Sequence, residues 1–142
     1  MHPIQFAQSK PDHPAIIMSG SGETVTYGEL ESAANRAVHW LRSQGMQAGD
    51  AFGVLMENNA RYHEIYWASQ RAGFVLVPIS THLTAAEILY ILDDSDAKLL
   101  FTTRKFDAVL ETIRAQLPDL GMLIFGGEGT EDAAKILGEQ SA

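Results

Sequence analysis

Thr26-Tyr-Gly-Glu29 and Thr84-Ala-Ala-Glu87 each set a hydroxyl three residues ahead of a carboxylate. At that spacing the two side chains satisfy orphan backbone amides at the start of a helix, so both read as capping boxes and their chemistry is structural. Phosphate contact would first be sought in the glycine-rich runs. Ser19-Gly-Ser-Gly22 lacks a Gly-Lys-Ser/Thr ending and lies between two extended runs instead of between a strand and a helix, which makes it a hairpin turn. Gly126-Gly-Glu-Gly129 puts a carboxylate where an anion would have to approach and reads as a mobile loop. Neither a dinucleotide fingerprint nor a Gly-x-Ser-x-Gly nucleophile elbow occurs.

The remaining reactive residue types are dispersed. His2, His13, His39, His63 and His82 fall on different segments and never stand four apart around a Glu, so metal binding has no support. Asp93, Asp94 and Asp96 lack the Gly and Glu that an EF-hand loop requires further along and read as a solvated turn between helix and strand. Trp40, Tyr62, Tyr66 and Trp67 take helical positions and read as packing aromatics. Ten Lys and Arg against 18 Asp and Glu leave a net charge of -8, which opposes a surface that tracks polyphosphate, and nucleic acid is excluded as a partner. Cysteine is absent, and with it disulfides, thiolate metal sites and a cysteine nucleophile.

The elements that must position these residues alternate along the chain. At 142 residues and 46% hydrophobic side chains, one substantial core is expected. Ala15–Met18 and Thr24–Thr26 form a predicted hairpin. A helix then starts at Thr26, carries Leu30, Ala33, Ala34, Ala37, Val38 and Leu41 inward, and stops at Gly45. Strand Ala51–Met56 follows, then a helix capped by Asn58 or Asn59 that runs to Gly73. Phe74–Ile79 is β-branched and unbroken, the pattern of a strand covered on both faces, with Pro78 near its end. A short helix from Thr84, strand Lys98–Thr102, a helix spanning Phe106 to Leu117, strand Met122–Phe125 and a weak helix within residues 131–138 complete the order. Helix and strand alternating with short connections predict an α/β fold, a three-layer, mainly parallel sheet with helices on both faces. Residues 1–126 are predicted as one α/β subdomain and 127–142 as a tail leading into further sequence. The first ten residues lack a basic start and an apolar run, and no run of about 18 apolar residues occurs, so a soluble, cytoplasmic protein without a transmembrane segment is expected.

Seven pieces between Pro14 and Thr103 stand in an order that resembles the amino-terminal part of the acyl-adenylate-forming enzymes, the acyl-CoA synthetases above all. They are Pro14-Ala-Ile-Ile, Thr26-Tyr-Gly-Glu-Leu30, Gly45-Met-Gln-Ala-Gly-Asp50, Val54-Leu-Met-Glu-Asn-Asn59, Tyr66-Trp-Ala-Ser-Gln-Arg-Ala-Gly73, Val77-Pro-Ile-Ser80, and Leu83-Thr-Ala-Ala-Glu87 with Ile91-Leu-Asp-Asp-Ser-Asp-Ala97. The fifth piece and Thr81-His-Leu-Thr84 look like the fatty-acyl and carnitine-type CoA ligases more than the peptide-synthetase adenylation domains.

The resemblance implies a function for the whole enzyme: a carboxylic acid, by the branch it resembles a fatty acid, is activated by ATP with Mg2+ to an acyl-adenylate, and CoA then displaces AMP. The family's phosphate-binding loop, its adenine and ribose segments, its magnesium-coordinating Glu and its catalytic Lys have no counterpart in these residues. No catalytic residue is therefore assigned and the fragment is expected to be inactive, with no cofactor of its own. One ligand contact is implied. Where several CoA ligases carry an Arg that approaches the phosphorylated nucleotide end of CoA, this chain has His82. The alternative to a ligase fragment is a non-catalytic α/β interaction module of related ancestry, binding a protein through a sheet edge and an aromatic helix.

Overall fold

A computed structural model of the chain describes residues 2–126 and 132–142. It opens with a short helix α1 (Ile4–Ser9), the strands β1 (Pro14–Ile17) and β2 (Thr24–Thr26), and the long helix α2 (Tyr27–Ser43). There follow β3 (Ala51–Leu55), α3 (Ala60–Ala72), β4 (Val75–Pro78), α4 (Ala85–Asp94), β5 (Leu99–Thr103), α5 (Asp107–Gln116), β6 (Gly121–Phe125) and α6 (Ala133–Gly138).

The unbroken apolar runs pair as expected of a covered parallel sheet. β3 lies between β4 and β5, β6 flanks β5, and every pairing is parallel, giving the order β4-β3-β5-β6. β3 and β5 are buried throughout their length. On one face Phe52, Val54 and Phe101 meet Ala34, Leu41 and Ile65 of α2 and α3, and α6 adds Ala133 and Leu137. On the other face Leu55 and Leu100 meet Ile88 and Leu92 of α4 and Leu110 and Ile113 of α5. These are the three layers the sequence predicts. β1 and β2 form a separate antiparallel hairpin.

One strand is placed differently from its reading. The run ending at Ile79 forms the outer strand β4, with Val75 48% exposed. Its ladder to β3 uses the amides of Val75 and Ile79, donated to the carbonyls of Asp50 and Val54 at 2.9 Å each. Alternate residues point the other way, so the missing amide of Pro78 falls on the unpaired side, where it breaks no ladder bond and blunts the edge.

Both capping boxes form. Thr26 Oγ1 accepts from Glu29 N at 3.2 Å while Thr26 N donates to Glu29 Oε2 at 2.8 Å. Thr84 and Glu87 repeat the exchange at 3.4 and 2.8 Å. Those amides hold the carboxyls of Glu29 and Glu87 below their ordinary range. Of the two Asn candidates it is Asn59 that caps α3, its Oδ1 accepting from Tyr62 N at 3.2 Å. Gly73 closes α3 at φ 73. Helix α1, which the sequence reading leaves out, has no side-chain cap; it is held from outside, with Phe6 stacked on Tyr27 at 5.0 Å. The α2/α3 seam carries an ion pair of Arg71 with Glu31, and Arg71 also donates to Asn35 Oδ1 at 2.6 Å.

Candidate functional site

In an open parallel sheet a ligand settles outside the carboxyl ends of the strands, where successive connections leave to opposite sides. Here the chain passes from β3 outward to β4, returns across β3 to β5 and continues to β6. α3 leaves β3 toward one face and α5 leaves β5 toward the other, so the reversal falls between β3 and β5.

That point is polar and internally braced. Glu57 follows β3, Thr103 ends β5, and Thr103 Oγ1 donates to Glu57 Oε2 at 2.6 Å. Asn59 Nδ2 donates to the Glu57 carbonyl at 3.1 Å, which fixes the backbone from which the carboxylate projects. Thr103 is buried, and beside it Thr102 is fully buried with its hydroxyl unpartnered among the described residues. Arg104 continues the edge with Nε 3.4 Å from Asp107 Oδ2. Gly126 turns the chain after β6 at φ 81, and a Cβ there would lie 3.7 Å from Arg104 Cγ.

The β4-to-α4 turn lies on the same edge. His82 is exposed there, and its backbone amide donates to Ser80 Oγ at 3.3 Å. Hydroxyls, a carboxylate, an imidazole and a guanidinium thus collect along one rim of the sheet. Such groups can orient a polar or phosphorylated ligand by hydrogen bonding. Among them the Thr103 hydroxyl and the Glu57 carboxylate form a hydrogen-bonded pair, with Thr103 itself buried.

The other sequence candidates stay apart from this rim. Ser19–Gly22 is the hairpin turn predicted for it, closed by Met18 N to Glu23 O and Gly22 N to Met18 O, both 2.8 Å. Of the second glycine run, 127–129 lie outside the described residues. Asp93 and Asp94 end α4, and Asp96 takes a positive φ of 51 in the turn beyond. Trp40 packs edge-on against Phe101 at 6.1 Å, in the core as expected. Among the described residues no three His, Asp or Glu gather in a way that would hold a metal ion. No helix there is long and apolar enough to cross a membrane.

Sequence reasoning misses Glu57 and Thr103 because no local pattern joins residues 46 positions apart. It also misses Glu64, a buried carboxylate of α3 paired with Arg61 at 2.7 Å. Burial raises the Glu64 carboxyl above its ordinary value, and the pull of Arg61 offsets that only in part. The sole sequence signal was the Arg-x-x-Glu spacing along one helix face.

Comparison with known proteins gives a consistent picture. The profile of the family described as AMP-binding enzyme matches residues 4–139. The fatty acid–acyl-carrier-protein ligase ScoC of Streptomyces coeruleorubidus is 37% identical over 113 residues, 80% of this chain and 21% of that protein. The inhibitor-bound N-terminal domain of FACL13 from Mycobacterium tuberculosis superposes with a TM-score of 0.83 at 26% identity, over 98% of this chain and 35% of that one. The anthranilate CoA ligase AuaEII, solved with anthranoyl-AMP, shares the fold with a TM-score of 0.88 at 23% identity, over 98% of this chain and 26% of that one. The chain spans about a fifth of the length of the curated relatives it matches.

Proposed function

Because the chain belongs to the AMP-binding enzyme family, we propose that it is the N-terminal part of an acyl-CoA synthetase that makes an acyl-adenylate and then an acyl-CoA. In the whole enzyme a carboxylate oxygen attacks the α-phosphorus of ATP and expels pyrophosphate. The CoA thiol then attacks the acyl carbon and expels AMP. A fatty acid is the proposed acid, Mg2+ the proposed companion of ATP, and the cytoplasm the proposed location. Residues 1–126 are the proposed first subdomain, and 127–142 the proposed lead into the rest.

The observation that carries this reading is the profile match along residues 4–139 of a chain whose sheet gathers polar side chains at its carboxyl rim. Within that rim His82 is the proposed contact for the phosphorylated nucleotide end of CoA. Its exposed imidazole on the β4-to-α4 turn is compatible with this role. An imidazole is a weaker phosphate partner than a guanidinium, so the contact tunes affinity and does not create it. Replacement of His82 by Ala in the longer protein should raise KM for CoA a few-fold and leave kcat unchanged, the signature of lost uniform binding.

The direct test compares two proteins. Given ATP, Mg2+, a fatty acid and CoA, the 142-residue chain should release no pyrophosphate above background, since the groups that stabilise phosphoryl transfer lie elsewhere. The product of the reading frame extended beyond Ala142 should release it. Turnover by the short chain, or none by the extended protein with any acyl carboxylate, would overturn the reading. In the second case, capture of a protein partner by the short chain would favour the interaction module.

A further inference from the structure

Helix α6 covers a charged group that neither the central sheet nor its carboxyl rim employs. Glu64 of α3 is 6% exposed and ends in a cleft of about 110 Å³ between α2, α3, β6 and α6. From α3 the cleft receives Glu64 and Arg61, joined at 2.7 Å, and from α2 it receives Arg36. From β6 and α6 it receives Phe125, Ala134, Leu137 and Gly138, which offer a carboxylate no side-chain hydrogen bond. The charged residues of α6, Asp132, Lys135 and Glu139, do not line it. On its other side Glu64 meets the hairpin groove, where Glu23 opposes its charge and Asp12 and Glu29 add to the acidic lining. Burial outweighs the pull of Arg61 and Arg36, so the docked structure favours the protonated carboxyl.

The element able to respond is α6. It has six residues, fewer than a helix needs to persist alone, so it forms only while docked. Its hold consists of Ala133 and Leu137 in the core cluster and, beyond its end, the His39 ring 2.8 Å from the Ser141 carbonyl. A Cβ at Gly138 would meet nothing within 4 Å, so the last turn is loosely covered. The opposite wall is firmer, since α2 and α3 are 17 and 13 residues long and pack on each other. When α6 leaves, the side of Glu64 that it covers opens to water, which stabilises the ionised form. Docking and proton binding are therefore linked. The docked form keeps its proton to higher pH, so docking is favoured in acid and weakens as pH rises through the docked-state value.

We propose that Glu64 is a proton-operated latch for α6, the helix staying docked on α2 and α3 while the carboxyl carries a proton and opening more often once the carboxyl is ionised. The latch shares no residue with the carboxyl rim of the sheet and does not rest on the function proposed above.

The test is amide hydrogen exchange of the 142-residue chain and its Glu64→Gln variant, read by nuclear magnetic resonance and corrected for the intrinsic pH dependence of exchange. The amides of Ile136, Glu139 and Gln140, donated to the carbonyls of Asp132, Lys135 and Leu137, report on α6, and those of Val75 and Ile79 report on the sheet. At pH 7 Glu64→Gln should protect the α6 amides about threefold more than the parent does, with a smaller gain at Val75 and Ile79. The α6 gain should vanish in acid, where the parent carboxyl is protonated. His39 titrates alike in both proteins, so the comparison isolates Glu64. Leu137→Ala, which loosens α6 directly, should in return lower the pH at which the Glu64 carboxyl carbon titrates. Equal gains at α6 and at the sheet would reduce Glu64 to a contributor to overall stability and overturn the proposal. A Glu64 titration left in place by Leu137→Ala would overturn it too.

Discussion

The two rims of the central sheet are built from the same strands and finished in opposite ways. At the amino rim the backbone closes on itself: Gly49 N meets Gly73 O at 2.8 Å, Lys98 N meets Ala51 O at 2.9 Å, and Gly121 N meets Lys98 O at 3.2 Å. Lys98 Nζ adds an ion pair with Asp50 Oδ2 at 2.8 Å. At the carboxyl rim the connections carry side chains instead, with Glu57 braced by Thr103 and Asn59, and with His82 and Arg104 beyond them. Backbone hydrogen bonds between the connections brace one rim. Side-chain bracing positions groups at the other, where the connections change sides.

Both rims depend on the strand between them, and the largest expected effect comes from disturbing it. A Cβ at Gly53 would stand 2.7 Å from Leu92 Cδ2, 3.1 Å from Leu100 Cδ1 and 3.2 Å from Ile79 Cδ1. Gly53→Ala should therefore destabilise the chain by about 1–3 kcal/mol, the usual cost of overpacking. A denaturation midpoint equal to that of the parent would mean that this face of the sheet is looser than described.

The caps separate the rims at a smaller scale. Thr26→Ala and Thr84→Ala, at helix starts on the carboxyl side, should each cost about 1 kcal/mol. Lys98→Ala at the amino rim should cost less, about 0.5 kcal/mol, because its side chain is 54% exposed, and that loss should shrink with added salt. Chemical denaturation at two salt concentrations measures both. A larger loss for Lys98→Ala than for the caps would reverse the comparison.

Acidity probes the carboxyls of both rims with a defined sign. Glu29, Glu87 and Asp50 have folded-state pKa values below their ordinary ones, the first two through the backbone amides of Thr26 and Thr84 and the third chiefly through Lys98. Their contributions are present above the ordinary carboxylate range and disappear as pH falls through the lowered values. Glu64 runs the other way. Its raised pKa means a contribution present below 4.5 that is lost as pH rises through the folded value. The stability of Glu64→Gln relative to the parent should thus increase between acid and neutral pH. A difference independent of pH would contradict the burial assigned to this carboxyl.

What the sequence discloses follows from how local each interaction is. The capping boxes lie within four residues and the covered strands within five or six, so both are legible in spacing and composition. The edge position of β4 is not, because an unbroken apolar run says nothing of what lies beyond it; Pro78, whose missing amide faces the unpaired side, was the available clue. Helix α1 depends on Phe6 reaching Tyr27 across the hairpin, and the Glu57–Thr103 brace joins two strand ends. Neither leaves a local trace. The resemblance of seven short pieces identified the family, while the contact geometry around the rim required the fold.

The central claim is that ligand chemistry belongs to the carboxyl rim and not to the amino rim. It is tested most directly by the acyl-CoA formation proposed for the longer protein, comparing Thr103→Val, which removes the hydroxyl bonded to Glu57, with Lys98→Ala, which removes the partner of Asp50. The account predicts a loss of about tenfold or more for Thr103→Val, because small displacements of positioning groups are amplified in rate, and a change within about twofold for Lys98→Ala. Equal losses in the two variants, measured where both remain folded, would contradict it.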